Sequence, residues 1–218
     1  SLAEYNGDLN GGQYFVTLID MSATWCGPCQ SLIPLFDELH ENYSDNEYVE
    51  IFVALSDLNQ ASKEPKNTVK VNILGTVLAL ELCRKHNVKR FVHASTIYVN
   101  SADGGFYRIS KKAAEDYVEE YKKIYGVNYT ILRFGSLYGQ RSDDTNGVRI
   151  IVKNAIVNGQ ISYTGSRKTV RSYIHILDAA KACVDILKEK YKNKYVTITG
   201  KKEIKISKVW IAAFYKII

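Results

Sequence analysis

Proline is scarce in this chain, with three among 218 residues, and so are methionine, with one, and cysteine, with four. With so little proline and no Ser/Gly-rich run, no flexible linker between independent domains is expected. No segment reaches the roughly 20 apolar residues that cross a bilayer, so no membrane partner is expected. Four cysteines in this length do not make a disulfide framework, and the expected compartment is a reducing cytoplasm. The opening Ser-Leu-Ala-Glu-Tyr-Asn-Gly-Asp has neither the basic nor the apolar region of a secretory signal. No metal is expected either, because the Cys-x-x-Cys at Cys26 and Cys29 has no second pair to complete four ligands. A G-x-x-G-x-x-G loop, which holds phosphate on backbone amides at a helix start, is missing. Gly104-Gly105 reads as a turn.

What remains is 46% hydrophobic, enough to bury a core. Apolar strands alternate with amphipathic helical stretches, which argues for a single α/β domain over 1–218 with a mostly parallel sheet flanked by helices. The polar stretch Asp57 to Asn67, with Pro65 in it, reads as a loop before a helix at Val71. The net charge of +6 comes largely from lysines between Lys188 and Lys208, interleaved with Tyr191, Tyr195, Val196, Ile198, Ile204 and Ile206. That alternation suits a solvated helix end and a strand, so no nucleic acid is expected; a positive surface would also steer an anionic substrate. The apolar run from Val209 to Ile218 reads as a docked helix or an exposed end.

The richest stretch is Tyr107-Arg108-Ile109-Ser110-Lys111. A tyrosine four residues ahead of a lysine places phenol and ammonium on one helix face, one turn apart. A free phenol ionises near pH 10, too high for a base at neutrality. A neighbouring ammonium favours the phenolate and brings it closer to acid/base use. The same pair also suits a solvated helix face, and a nearby hydroxyl can simply cap a turn. Just upstream, Val88 to Thr96 reads as a buried strand ending in the hydroxyls Ser95 and Thr96. Downstream come the strand Val127–Phe134, then Gly135-Ser136-Leu137-Tyr138-Gly139, then Arg171-Ser172-Tyr173-Ile174-His175-Ile176-Leu177-Asp178. His93 reads as a packed strand residue, and His40 and His86 as solvated.

Together with Val71-Asn72-Ile73-Leu74-Gly75-Thr76, these motifs resemble the extended short-chain dehydrogenase/reductase family, the NAD-dependent epimerases and dehydratases of nucleotide sugars, over about 49–208. The resemblance implies a Rossmann-like fold and NAD (or NADP) as cofactor. It implies Tyr107 as acid/base, Lys111 as its partner and a ribose contact, and Thr96 as a hydrogen-bond partner of the reacting group, with Ser95 its rival. Ala54 and Leu55 match the turn over the cofactor, and Asn72 the asparagine that braces the site. Ser136 stands where many members carry a sugar-nucleotide asparagine, and Arg171 matches the arginine on the substrate diphosphate. His175 matches a bracing position. Homodimerisation through helices near 67–86 and 107–125 is implied too, with Ala113, Ala114 and Val118 facing either a partner or the core. The Thr96-to-Tyr107 interval is short for the family, and its glycine loop is absent.

In place of that loop stands an apolar strand, Tyr14 to Met21, followed by Trp25-Cys26-Gly27-Pro28-Cys29 and an amphipathic stretch from Gln30 to Tyr43. With Asp20 ahead and Pro34 behind, this resembles the active-site segment of thioredoxin over about 14–55. A thiol at a helix start is favoured as thiolate, and Cys29 one turn on can resolve a mixed disulfide. A right-handed strand–helix–strand crossover predicts that strand 14–21 lies parallel and adjacent to strand 49–55. The N-terminal cofactor half is then replaced by a thioredoxin-like βαβ unit. The expected activity is nucleotide-sugar epimerase/dehydratase chemistry with impaired cofactor binding. Thiol–disulfide exchange, or a non-catalytic hybrid fold, natural or engineered, are the alternatives.

Overall fold

The computed structural model describes residues 16–20, 49–53, 61, 63–85, 87–139, 142, 146–159 and 169–209. The strands are β1 (Val16–Asp20), β2 (Val49–Val53), β3 (Phe91–Thr96), β4 (Tyr129–Phe134), β5 (Ser136–Tyr138), β6 (Val170–His175), β7 (Lys194–Ile198) and β8 (Glu203–Lys205). The helices are α1 (Pro65–Thr68), a π-helical segment (Val69–Leu74), α2 (Gly75–Lys85), α3 (Gly105–Tyr125), α4 (Gly147–Asn158) and α5 (Ile176–Asp185). The chain divides into two compact units, Ser1–Leu132 with Glu189–Val196, and Arg133–Lys188 with Thr197–Ile218.

In the first unit β1 pairs in parallel with β2, from Val16 opposite Val49 to Asp20 opposite Val53. The adjacency expected from the crossover rule is thus found. β2 in turn lies against β3, and a second sheet has the order β3-β4-β7. All six residues of β3 are buried, the mark of a strand covered on both faces. Leu80, Cys83, Phe91, Val118, Val127, Tyr129 and Ile131 form one apolar cluster between α2, α3 and these strands.

Pro65 begins a helix, six residues ahead of the expected start at Val71 and inside the stretch that reads as a loop. Proline is well tolerated at the first helical position, where its missing N–H has no intrahelical partner to lose. The helix then widens into the π segment. In an α-helix each four-residue step drifts about 40° around the axis. The wider π turn absorbs part of that drift. Thr68, Asn72, Thr76, Leu80 and Cys83 therefore stay buried along one side. Val69, Leu74, Leu78 and Leu82 stay exposed on the other. The Thr76 hydroxyl donates to the Asn72 carbonyl at 2.7 Å.

α3 is the long helix expected around Tyr107. Gly104 precedes it at φ 102°, and Gly126 ends it at φ 78° with its N–H on the Lys122 carbonyl. Both are left-handed positions that favour glycine. Its buried stripe is Ser110, Lys111, Ala114, Glu115 and Val118. Ala114 and Val118 have no exposure, so they serve the core and do not face a partner.

The second unit holds the sheet β5-β6-β8, in which β5 and β6 are parallel and β6 and β8 antiparallel. Asn146 caps α4, its side-chain oxygen accepting from the N–H groups of Val148 and Arg149 at 3.1 and 3.2 Å. Ile151 on α4 packs with Ile206, Val152, Tyr173 and Val209. Ala54, Leu55, Cys26, Cys29, His40, His86 and the run 210–218 lie outside the described residues.

Candidate active site

The first unit brings Asn72, Ser95, Thr96, Tyr107 and Lys111 onto three neighbouring elements: the π segment, the end of β3 and the first two turns of α3. Lys111 is 2% exposed, and its Nζ donates to the Ala94 carbonyl at 3.1 Å. The same ammonium lies 6.0 Å from the centre of the Tyr107 ring, the outer limit for attraction between a cation and an aromatic face. The four-residue spacing read from the sequence therefore becomes a contact, because β3 supplies a carbonyl that holds the lysine over the phenol. Burial drives the Lys111 pKa from 10.5 down to about 8, with the Glu115 carboxylate opposing that fall.

The two hydroxyls at the strand end differ in what they do. Ser95 donates to Glu115 Oε1 at 2.6 Å, in a fully buried pair. Thr96 accepts from the Tyr98 N–H at 3.3 Å and so caps the 3-10 turn Ile97–Asn100. Its hydroxyl proton takes no part in that bond. Ser95 is thus bonded to a buried carboxylate, while Thr96 caps a turn with an O–H that can still donate.

Asn72 braces the helix that carries the phenol. Its Nδ2 donates to Ser110 Oγ at 2.8 Å, and Ser110 Oγ donates to the Tyr107 carbonyl at 2.9 Å. Tyr107 itself is half-buried, whereas Asn72, Ser95, Thr96, Ser110, Lys111 and Glu115 are all buried. Of this set the phenol is the group that reaches the surface.

The reading from sequence missed Ser110 and Glu115. The available signal was spacing: Tyr107, Lys111 and Glu115 come in steps of four, and Ser110 adjoins the lysine. His93 is the packed strand residue that its sequence position suggests, 3% exposed. It stacks on Phe91 at 6.0 Å, and burial, aided by the Lys111 charge, pushes its pKa down to about 3.

In the second unit Ser136 faces Tyr173 across the β5–β6 register, and Tyr138 faces His175. Residues two apart on a strand share a face, so Arg171, Tyr173 and His175 lie on the same side as Ser136 and Tyr138. Ring contacts agree: Tyr138 meets His175 at 5.2 Å and Tyr173 at 6.2 Å, both edge-on. His175 Nδ1 accepts from the Leu177 N–H at the start of α5, a bracing role. Arg171 Nη1 donates to the Val170 carbonyl at 3.3 Å.

Two of the implied cofactor residues lie among the described ones. Asn72 and Lys111 are each 2% exposed and bonded inward, to Ser110 and to the Ala94 carbonyl. Among the described residues no group of acidic, histidine or cysteine side chains could hold a metal ion, and no helix is long and apolar enough to cross a membrane.

Residues 33–198 match the model of the NAD dependent epimerase/dehydratase family. A putative UDP-glucose 4-epimerase from Methanocaldococcus jannaschii is 25% identical over 186 residues, covering 78% of this chain and 60% of that protein. A dTDP-D-glucose 4,6-dehydratase from Dictyostelium discoideum is 26% identical over 182 residues, covering 71% of this chain and 42% of the relative. The chain thus spans less than two thirds of the length of either. The fold matches the crystal structure of UDP-glucose 4-epimerase from Thermotoga maritima with UDP-glucose, at a TM-score of 0.76 and 22% identity, covering 99% of this chain and 78% of the other. A shorter likeness joins 52 residues, 24% of this chain, to half of a thioredoxin from Ophiophagus hannah at 38% identity. The family match covers most of the sequence, and on that footing the chain belongs to the NAD-dependent epimerase/dehydratase family.

Proposed function

We propose that this protein performs acid/base chemistry on a hydroxyl of a nucleotide sugar, with Tyr107 as the group that exchanges the proton. The observation that carries this reading is the Lys111 ammonium, desolvated, fixed on the Ala94 carbonyl and held against the Tyr107 ring. A positive charge kept there favours the form of the phenol that has given up its proton. Thr96, at the end of β3, supplies the O–H that orients the reacting oxygen. Asn72 and Ser110 keep the first turn of α3 at the height this requires. By the family resemblance, Ser136 and Arg171 remain the candidates for contacts to the sugar and the diphosphate. UDP- and dTDP-sugars are the substrate class, by analogy with the named relatives.

NAD supplies a hydride acceptor in this family. We infer that it binds this chain weakly, because the sequence carries no glycine-rich loop and the two described cofactor candidates point inward. The N-terminal strand–helix–strand unit would stand where that loop is usually found. Support comes from the parallel β1–β2 pairing and the short thioredoxin likeness, and the latter also favours a second reading, thiol–disulfide exchange by Cys26 and Cys29. Whether the protein works in the cytoplasm belongs to the same proposal.

One experiment tests the main reading. The purified protein is titrated with NAD by calorimetry, then incubated with UDP-glucose or dTDP-glucose at millimolar NAD, with products monitored by NMR. Turnover that falls about 100-fold or more in Tyr107→Phe supports the acid/base role. Micromolar NAD affinity overturns the weak-cofactor inference. No turnover of either sugar nucleotide overturns the enzymatic reading, and insulin reduction lost in Cys26→Ser would transfer the activity to the cysteine pair.

A further inference from the structure

Glu115 has no exposed surface, lies one helical turn beyond Lys111, and accepts a 2.6 Å hydrogen bond from Ser95. A carboxylate in such a place is costly unless hydrogen bonds and an opposite charge compensate it. Ser95 gives the first, and Lys111, the cation on the same buried stripe, lies one turn back along α3. The two α3 side chains also grip consecutive residues of β3, Lys111 on the Ala94 carbonyl and Glu115 on the Ser95 hydroxyl, immediately before Thr96.

We propose that Glu115 is a positioning residue of the acid/base site: its buried charge keeps Lys111 protonated at neutral pH, and its bond to Ser95 fixes the strand end that presents Thr96. This deepens the function proposed above and rests on it for its catalytic meaning. Lys111 and Glu115 lie one turn apart on the same buried stripe of α3, which brings their charges close without a direct bond between them. Other titratable groups face the same spot from the packed elements. Tyr107 lies on α3 itself. His93 on β3 is kept neutral by burial, with the Lys111 charge a lesser cause. Tyr195 on β7 has its phenol pushed up, first by burial, then by Glu119, and by Glu115 as a smaller cause. Neither His93 nor Tyr195 supplies a negative charge beside Lys111 at neutral pH. With burial alone acting, the ammonium would give up its proton more readily than it does beside Glu115.

The test tracks the Lys111 Nζ resonance by pH titration of the full chain grown with 15N-lysine, assigned by its loss in Lys111→Met. Glu115→Gln keeps an acceptor for Ser95 and removes the charge. Its Lys111 is expected to bind a proton about tenfold more weakly than the parent, and Glu115→Asp, which restores the charge, is expected to recover most of the difference. An unchanged midpoint in a folded Glu115→Gln protein overturns the proposal. Should Glu115→Gln fail to fold, Ser95→Ala decides: the charge remains, so the midpoint stays within about twofold, and a tenfold fall there would overturn the charge assignment. The titration needs neither NAD nor sugar, so it can fail while the enzymatic reading stands, and the reverse.

Discussion

Two buried bases leave opposite ends of the pH scale as windows on the site. Lys111 is held at about 8 against 10.5 in its ordinary state, and His93 at about 3 against 6.5. Both shifts are downward, so within each interval the unfolded chain binds one proton more than the folded one, and stability rises with pH. The burden of Lys111 is full below pH 8 and gone above 10.5. The benefit of His93 staying neutral is full above 6.5 and lost as pH falls towards 3. Urea unfolding across pH should therefore show slopes of up to about 1.4 kcal/mol per pH unit from each group. Lys111→Met should flatten the alkaline window, and His93→Gln the acid one. A Lys111→Met protein with an undiminished alkaline slope would mean that another group is responsible. The pairing of Tyr107 with Lys111 was legible in the sequence because four residues make one helical turn. Glu115 obeys the same rule, yet nothing in the sequence says that its carboxyl is fully buried. That depends on β3 lying against this face of α3.

Elements are pinned here by close backbone approaches that sequence reading passes over. In the second unit a side-chain carbon added at Gly135 would stand 2.2 Å from the Ser172 carbonyl oxygen, and one at Gly200 would stand 2.4 Å from that of Tyr173. Gly200 also donates its N–H to the Tyr173 carbonyl at 2.7 Å. Both obstacles are backbone atoms, so a methyl group forces β6 itself to move. Gly135→Ala and Gly200→Ala should each cost about 2 kcal/mol or more in urea unfolding; a loss under about 0.5 kcal/mol would show that β6 yields easily. The motif at Gly135 is legible in the sequence through its neighbours Ser136 to Gly139, while the reason for the glycine itself lies in β6, nearly forty residues away. Pro65 is the reverse case. It reads as a loop marker because proline breaks helix interiors, and the structure uses it at the one position where it does no harm.

At the scale of the molecule, an apolar surface remains on the paired helices of the first unit. Val69, Leu74, Leu78 and Leu82 are 46–57% exposed along the π segment and α2, and Phe106, Ile109, Tyr117 and Ile124 are 46–59% exposed along α3. The α3 positions fall within one face, since eleven and seven residues are close to three and two turns. We propose that a second copy of the chain covers this surface, as the family resemblance implies. The partner-facing set is then Phe106, Ile109, Tyr117 and Ile124, in place of Ala114 and Val118. Leu78→Asp should convert a dimer into a monomer in light scattering at micromolar concentration, with little change in the melt of the isolated chain. A monomeric parent protein would remove the proposal.

Local rules within the chain settled much of this protein in advance. The spacing of strands and helices gave α/β architecture, the crossover rule gave β1 beside β2, and one helical turn gave the Tyr107–Lys111 pair. Each follows from local geometry, the helix pitch or the fixed handedness of a strand–helix–strand crossover. Tertiary structure alone decided which polar groups lost water: Lys111 on the Ala94 carbonyl, Glu115 on Ser95, Asn72 on Ser110. Desolvation is set by everything packed around a group at once, and those neighbours come from segments 17 to 38 residues apart.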